Sequence, residues 1–285
     1  TSTINIIPLS EALGAEMEGI DLSRPLDEAA QRAVREAWSK HLVLLFRDQD
    51  FSAKDQLRFA RYFGPVASRK LPNDYHIPAS SRETPGIAYV SNIRLEDGSH
   101  FGTLPDGEMW LHHDTCYKPI PDLATMLYSM EIPDWGGHTK WSNMYKIHDA
   151  LPETVRTALA GRTVLNVYDY LLTEQPDCSP QALEKVEHAF QPAIITHPVT
   201  GRRVLFINRL MTVRIEDMEK SESDEILSTC FDLIEQPEFI YTHPWVPGDF
   251  IIWDNLATTH GRTDFPTTSN RKLRRCKVAG KMLRK

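Results

Sequence analysis

The feature that most constrains the fold is a series of short apolar runs, each about long enough for one or two strands. The clearest runs occupy residues 86–93, 124–132, 193–208, 238–255 and 274–280. Pro and Gly in PVTGRR and WVPGD interrupt two of them, as expected where strands reverse direction. Helical patterns cluster early in the chain and strands dominate later. This order favours a β sandwich or barrel with flanking helices over alternating βα units.

Four segments have helical patterns, at residues 25–41, 52–64, 150–161 and 219–236. Acidic residues in the first turn of the first helix suit the positive end of the helix dipole. We expect Ser52 to cap the second helix and Gly64 to follow its last turn. Between these two helices, the continuous apolar run LVLLF predicts a buried strand.

Composition limits the classes of function. The 285 residues are 41% hydrophobic and 25% charged, which allows a sizeable core, and we expect residues 1–285 to form a single domain. A net charge of −7 predicts no nucleic-acid partner, and no apolar stretch approaches the roughly 18 residues of a membrane span. Four cysteines without a CxxC pair, and a start without a signal-peptide pattern, predict a cytoplasmic protein. We expect a small-molecule substrate and a homo-oligomer, either a dimer or a tetramer.

The stretch GEMWLHHDTCYKPIPD gathers two imidazoles, a carboxylate and a thiol within five residues. If it is extended, His112 and Asp114 lie on one face and His113 on the other, because side chains alternate with a period of two. His260, in DFIIWDNLATTHGRTDF, is the best candidate for a third ligand. Two histidines and one carboxylate form a facial triad, which leaves open positions on the metal and suits non-haem Fe(II) enzymes.

Other interpretations of these residues remain open. An isolated His-x-Asp triplet is usually a polar loop without a metal, and a lone His260 is usually a satisfied surface or core histidine. Cys116 shares the face of His112 and Asp114 if the strand continues, although a buried thiol is commoner. A tetrahedral zinc site is a rival, but it would normally recruit a cysteine or a third histidine.

The basic run RKLRR, at residues 271–275, stands out against the acidic background. Such a short run is usually a solvated face. However, Arg275 lies fifteen positions after His260, with Arg271 and Arg274 close to it. An enzyme with a dicarboxylate co-substrate needs a guanidinium to bind the distal carboxylate while the other end chelates the metal.

Seven motifs resemble, in the same order, the taurine dioxygenase and 2,4-dichlorophenoxyacetate dioxygenase family of Fe(II)- and 2-oxoglutarate-dependent oxygenases. They are LGAEMEGIDLSRPL, FARYFGPV, WLHHDTCY, IPDWGGHTKWSNMYKIHDALP, THPVTGRRVLFIN, WVPGDFIIWDN and RKLRR. The tryptophan of WLHHDTCY stands one residue further from His112 than in the family pattern. The resemblance covers almost the whole chain and implies a mainly β fold, with a double-stranded β-helix (jelly-roll, cupin-like) core and flanking helices.

The resemblance also implies a role for ten residues. The Fe(II) ligands would be His112, Asp114 and His260. The residues binding 2-oxoglutarate would be Thr139, Arg271 and Arg275. The residues contacting the substrate would be Arg69, Lys70, Asn92 and Tyr117.

The implied reaction uses Fe(II), 2-oxoglutarate and O₂. It hydroxylates a small anionic substrate, such as a sulfonate, carboxylate or phenoxy acid, with or without later cleavage, and releases succinate and CO₂. Related halogenases lack the carboxylate ligand, so Asp114 favours hydroxylation. Two alternatives remain open: a non-enzymatic sensor of 2-oxoglutarate or of a small acid on the same fold, and a zinc hydrolase. The sensor would make no succinate, and the hydrolase would not need O₂.

Overall fold

The computed structural model describes residues 3–67, 84–103, 107–168 and 177–285. The strands in these ranges are β1 (Asn5–Pro8), β2 (Ala15–Glu18), β3 (Val43–Phe46), β4 (Ala88–Ser91), β5 (Met109–His112), β6 (Ala124–Glu131), β7 (Thr139–Asn143), β8 (Thr163–Val167), β9 (His188–Pro192), β10 (Ile194–Thr196), β11 (Arg203–Leu205), β12 (Thr212–Ile215), β13 (Ile240–His243), β14 (Phe250–Asp254), β15 (Thr258–Arg262) and β16 (Lys272–Val278). The helices are α1 (Glu28–His41), α2 (Ala53–Ala60), α3 (Met144–Ala150), α4 (Glu153–Leu159), α5 (Pro180–Leu183) and α6 (Lys220–Ile234), and a 3₁₀ turn covers Pro237–Phe239.

Two sheets form the core of the molecule. The major sheet has the strand order β1-β2-β3-β14-β6-β16-β4, and the minor sheet has the order β13-β7-β15-β5. Their inner faces share one large cluster of buried side chains, in which the rings of Trp141 (β7) and Trp253 (β14) are 5.5 Å apart. Two small sheets have the strand orders β12-β8-β9 and β10-β11. Their strands lie between β7 and β13 in the sequence. The prediction of a mainly β, jelly-roll core with flanking helices is confirmed.

Helices α1 and α2 cover the outer face of the major sheet. Trp38 of α1 and Phe59 of α2 belong to a second buried cluster, together with Phe250 of β14. The N-terminus of α2 is as predicted, because the Ser52 hydroxyl accepts from the backbone N–H of Asp55 in a capping box. Its C-terminus is not. The helix ends at Ala60, four residues before Gly64, so Gly64 does not occupy the predicted position next to the last turn.

The minor sheet contains two strands that the apolar pattern did not predict. β7 (TKWSN) and β15 (TTHGR) are rich in polar residues, although most of these residues are buried. A search for apolar runs fails on such strands, since their inward positions line a polar site instead of an apolar core. No helix in the described ranges has both the length and the apolar content that crossing a membrane requires.

Candidate active site

The three predicted metal ligands come from two neighbouring strands and from the turn after one of them. His112 is the last residue of β5 and lies directly opposite His260 of β15, with the two ring centroids 4.3 Å apart. Asp114 lies in the turn beyond β5, where Thr115 adopts a left-handed φ of 57°. One donor atom from each ligand lies within 4.8 Å of the others. Two imidazoles and a carboxylate thus converge on one point.

One oxygen of Asp114 faces both imidazoles. Asp114 Oδ1 is 3.5 Å from His112 Nε2 and 3.6 Å from His260 Nε2. The other ring nitrogen of His112, Nδ1, is 2.8 Å from the carbonyl oxygen of Trp110. A carbonyl only accepts hydrogen bonds, so in the neutral ring Nδ1 carries the hydrogen and Nε2 keeps its lone pair. This is the arrangement that a metal-binding histidine needs.

The second oxygen of Asp114 is held by two groups on the major sheet. Asp114 Oδ2 accepts a hydrogen bond from the Thr125 hydroxyl at 2.8 Å and lies 3.2 Å from Lys277 Nζ. Burial alone would raise the pKa of the Asp114 carboxyl, but the charge of Lys277 and the contacts of His260 and His112 outweigh it. They hold that pKa well below its usual range. Burial also lowers the pKa of His260 well below its ordinary value. The site therefore favours an ionised carboxylate beside a neutral His260, the protonation states that bind a divalent cation.

The backbone of Asp114 is fixed by Asn255, a fully buried residue at the end of β14. The Asn255 side chain accepts from the N–H of Asp114 at 2.7 Å and donates to the carbonyls of Asp114 at 2.9 Å and Asp122 at 2.8 Å. One amide thus joins the turn carrying Asp114 to the segment that leads to His260.

His113 and Cys116 lie away from the three ligands. The ring of His113 packs on that of Phe206 at a tilt of 36° with centroids 4.2 Å apart, and burial lowers the pKa of His113 to about 3. β5 ends at His112, so the extended segment that would have brought Cys116 to the ligand face does not exist. Cys116 Sγ instead lies 3.7 Å from Met211 Sδ, and burial raises the pKa of the thiol to about 12. The set of ligands consists of imidazole and carboxylate without a thiolate, which fits Fe(II) better than structural zinc.

The residues predicted to bind 2-oxoglutarate line the same pocket as the three ligands. Arg275 reaches it from β16, Arg271 from the residue before that strand, and Thr139 from the start of β7. The Thr139 hydroxyl accepts from Trp245 Nε1 at 2.9 Å, so its own hydrogen remains to be donated to another acceptor. These three side chains contribute hydrogen-bond donors to the pocket.

Arg271 is held rigidly in that pocket. Its Nε and Nη2 donate to the carbonyl of Gly137 at 3.2 and 3.0 Å, and the residue is 2% exposed. Burial, assisted by the charge of Arg262, lowers the pKa of Arg271 to about 9. Arg262 also lines the pocket and is a residue that the sequence analysis did not single out.

Arg274 lies on the opposite face of β16, as the two-residue period predicts. Its guanidinium donates to Gln56 Oε1 and to the carbonyl of Phe51, both at 2.7 Å, and lies 4.7 Å from the ring of Tyr128. Neighbouring arginines in the chain therefore have separate surroundings: Arg275 lines the pocket, and Arg274 joins α2 to the sheet.

Of the four residues predicted to contact substrate, the structure describes two, Asn92 and Tyr117. The Asn92 side chain donates to the carbonyl of Ser269 and accepts from the N–H of Arg271, both at 2.8 Å, so it holds the segment before β16. The ring of Tyr117 packs on that of Tyr168 with centroids 4.5 Å apart, and burial raises its pKa. Arg69 and Lys70 lie outside the described residues.

Sequence reasoning missed Lys277, Thr125 and Asn255. Only Lys277 carried a local signal, because it lies two residues beyond Arg275 and so shares its face of the strand. Thr125 and Asn255 meet Asp114 through contacts made by the tertiary fold.

Known proteins resemble the chain along nearly all of its length. The family model described as "Taurine catabolism dioxygenase TauD, TfdA family" matches residues 5–277. Pentalenolactone F synthase of Streptomyces avermitilis is 32% identical, over 93% of this chain and 90% of that protein. The (S)-phenoxypropionate/alpha-ketoglutarate-dioxygenase of Sphingobium herbicidovorans is 30% identical, over 97% and 95%. The crystal structure of AAD-2 in complex with Mn(II) and N-oxalylglycine superposes with a TM-score of 0.79 at 27% identity, covering 98% of both chains. The chain therefore belongs to the TauD/TfdA family of dioxygenases.

Proposed function

We propose that the protein is an Fe(II)- and 2-oxoglutarate-dependent dioxygenase that hydroxylates a small anionic organic substrate and releases succinate and CO₂. His112, Asp114 and His260 are the proposed iron ligands. The observation that carries the proposal is the convergence of their donor atoms within 4.8 Å, in a pocket that Arg275 and Thr139 also line. When bound, the iron supplies the activation of O₂ and the oxidising power for C–H hydroxylation.

The protein side of the reaction begins with 2-oxoglutarate. Arg275 pairs with the distal carboxylate, since a guanidinium binds a carboxylate through two parallel hydrogen bonds. The Thr139 hydroxyl donates to the same group while Trp245 donates to Thr139, which fixes the direction of the hydrogen. Arg271 adds positive charge beside the carboxylate from a position fixed by Gly137. These contacts orient the keto end of the co-substrate toward the three ligands.

Apolar side chains form much of the rest of the pocket wall, which Thr125 and Arg262 also line. Val90, Met109, Leu127 and Trp253 line it together with the polar residues. Apolar walls limit the access of water, which strengthens the electrostatic contacts inside and protects a reactive site from side reactions. The residues of this chain thus position the co-substrate, supply positive charge and limit the access of water, and the bound iron would supply the oxidising power.

The proposed substrate class rests on relatives and on charge. One relative is named for a phenoxypropionate, which is an anion at neutral pH. We assign Arg69 and Lys70 to the substrate's acid group, with Asn92 and Tyr117 as further contacts. A panel of small sulfonates, carboxylates, phenoxy acids and neutral analogues, scored by succinate, tests this assignment. A neutral compound as the best substrate would contradict it.

Succinate formation tests the reaction itself. We expect succinate only when Fe(II), 2-oxoglutarate, O₂ and a substrate are all present, and none from His112→Ala under the same conditions. Binding of 2-oxoglutarate without succinate for any member of the panel would support the sensor instead. Substrate conversion without O₂ and with Zn(II) would support the hydrolase.

Four further expectations, on location, assembly, partners and domain organisation, remain predictions. They are a cytoplasmic location, a dimer or tetramer of identical chains, no nucleic-acid or membrane partner, and a single catalytic domain over residues 1–285. Light scattering of the purified protein at several concentrations measures the oligomeric state directly.

A further inference from the structure

Lys277 forms an ion pair with Asp114, one of the proposed iron ligands, and the reaction outlined above gives it no role. It lies two residues after Arg275, so both side chains share the inner face of β16 about 7 Å apart along the strand. Lys277 Nζ is 3.2 Å from Asp114 Oδ2 and 3.7 Å from Asp122 Oδ2, and 18% of its side chain is exposed. Its charge is therefore already placed between two carboxylates.

Lys277 and Thr125 act on the same oxygen. They are direct partners across β16 and β6, and both reach Asp114 Oδ2, Thr125 with a hydrogen bond of 2.8 Å. Asp114 Oδ1 is the oxygen that faces His112 and His260. The two oxygens of one carboxylate thus have different surroundings: one is held by donors on the major sheet, and the other faces the imidazoles.

Asp122 holds Lys277 from the other side. The Thr115 hydroxyl accepts from the backbone N–H of Asp122 at 2.8 Å, and its one hydrogen faces both the carbonyl of Asp114 at 2.7 Å and Asp122 Oδ2 at 3.1 Å. The carbonyl of Asp122 accepts from the fully buried Asn255. These contacts fix the second carboxylate, so the ammonium group of Lys277 has a defined position and not merely a favourable charge.

We propose that Lys277 is a positioning residue for the iron: with Thr125 it retains Asp114 Oδ2, so that Asp114 presents Oδ1 alone to Fe(II). This inference rests on the proposed function. A carboxylate that ligates through one oxygen leaves three positions of a six-coordinate ion open beside two histidines, whereas ligation through both oxygens removes one of them. Groups that orient a ligand in this way commonly change metal affinity by about 10- to 100-fold.

Two effects of removing the lysine have opposite signs. Loss of a nearby cation would strengthen Fe(II) binding by reducing repulsion. Loss of orientation would weaken it, because the Asp114 carboxylate could rotate away from the imidazoles. The proposal requires the second effect to dominate, so the direction of the change is itself the test.

The experiment measures the dissociation constant of Fe(II) alone, under anaerobic conditions, on protein stripped of metal. We expect Lys277→Met to weaken binding by about 10- to 100-fold and Lys277→Arg to restore it to within about threefold of the wild type. Lys272→Met is the matched control, because Lys272 lies on the same strand but its ammonium group is 4.7 Å from the ring of Phe101. It should bind Fe(II) as the wild type does. Circular dichroism checks that each variant is folded.

Unchanged or tighter Fe(II) binding by folded Lys277→Met would overturn the proposal. If that variant does not fold, Thr125→Val replaces it: this change removes the other donor to Oδ2 without changing charge, and we expect it to weaken Fe(II) binding by at least about threefold. Equal affinity of folded Thr125→Val and wild type would then overturn the proposal. A wild-type protein that fails to bind Fe(II) would contradict the proposed function instead, which separates the two failures.

Discussion

His112 and Arg275, the inner pair, line one pocket, whereas their neighbours in the chain, His113 and Arg274, are not among its lining residues and form the outer pair. The outer pair packs elsewhere, His113 on Phe206 and Arg274 on Gln56 and the carbonyl of Phe51. Residue type is the same in both pairs, so the contacts that each side chain makes decide its role. The comparison yields matched variants, in which each outer residue serves as the control for its inner neighbour.

The largest effect is expected at the histidine pair. His112→Ala should abolish succinate formation and weaken Fe(II) binding by more than the roughly 10- to 100-fold seen for groups that only orient a ligand. His113→Ala should keep the iron and the activity. It should lower the free energy of unfolding by about 2–5 kcal/mol, because a large buried ring is lost. Metal titration, a succinate assay and denaturant unfolding measure these quantities. Retention of iron by His112→Ala together with its loss from His113→Ala would show that the faces are assigned the wrong way round.

The arginine pair should show a smaller but sharp difference. Removing one partner of a desolvated charge pair costs about 2–5 kcal/mol, so Arg275→Ala should raise the KM for 2-oxoglutarate by more than about tenfold. Arg274→Ala should change that KM by less than about threefold. It should reduce stability instead, since Gln56 and the carbonyl of Phe51 lose a buried donor at about 1–3 kcal/mol each. Equal changes of KM in the two variants would rule out the assignment of Arg275.

These pairs also show what the sequence could predict. His112 and Arg275 were accessible because they follow from local spacing and from alternation along a strand. Asp114 was accessible from its spacing to His112, although it lies in the turn beyond β5. The same rule failed at Cys116, since it holds only while the chain stays extended, and β5 ends at His112. The left-handed φ of Thr115 turns the chain away at that point. The end of a strand is set by such turns, which the pattern of apolar residues does not reveal.

The support of the ligands could not be predicted in this way. Asn255 meets Asp114 across 141 positions of sequence, and no local pattern marks an asparagine as the partner of a distant turn. Lys277 had a local signal, its spacing from Arg275, but the carboxylates that it faces are known only from the fold. The proposed metal ligands could therefore be predicted from the sequence, whereas the residues that orient those ligands could be identified only from the structure.

A third pair of neighbours lies on β7, where Thr139 lines the pocket and Lys140, which does not, serves as its control. Loss of one hydrogen bond to a charged group costs about 1.5–3 kcal/mol when its partner cannot find another, and water reduces this figure in an accessible pocket. Thr139→Val should therefore raise the KM for 2-oxoglutarate by about five- to tenfold, and Thr139→Ser should restore most of it. Lys140→Ala should leave the KM unchanged. Steady-state succinate kinetics distinguish these outcomes, and an unchanged KM in Thr139→Val would remove Thr139 from the co-substrate site.

The smallest effect is expected from Arg69 and Lys70, the cations that we assign to the substrate and not to the co-substrate. The protein carries a net charge of −7, so an anionic substrate is repelled at long range unless a local cation offsets that field. The double change Arg69→Ala, Lys70→Ala should raise the KM for the primary substrate by about three- to tenfold, since a salt-screened ion pair contributes about 1 kcal/mol or less. The charge-transfer absorbance of the Fe(II)–2-oxoglutarate complex should stay unchanged, because this complex forms before substrate binds.

Raising the salt concentration should weaken substrate binding in the wild type more than in the double variant. Unchanged substrate affinity in the double variant would remove both residues from the proposed substrate site. A loss of the charge-transfer absorbance would move them to the co-substrate side of the comparison, beside Arg275.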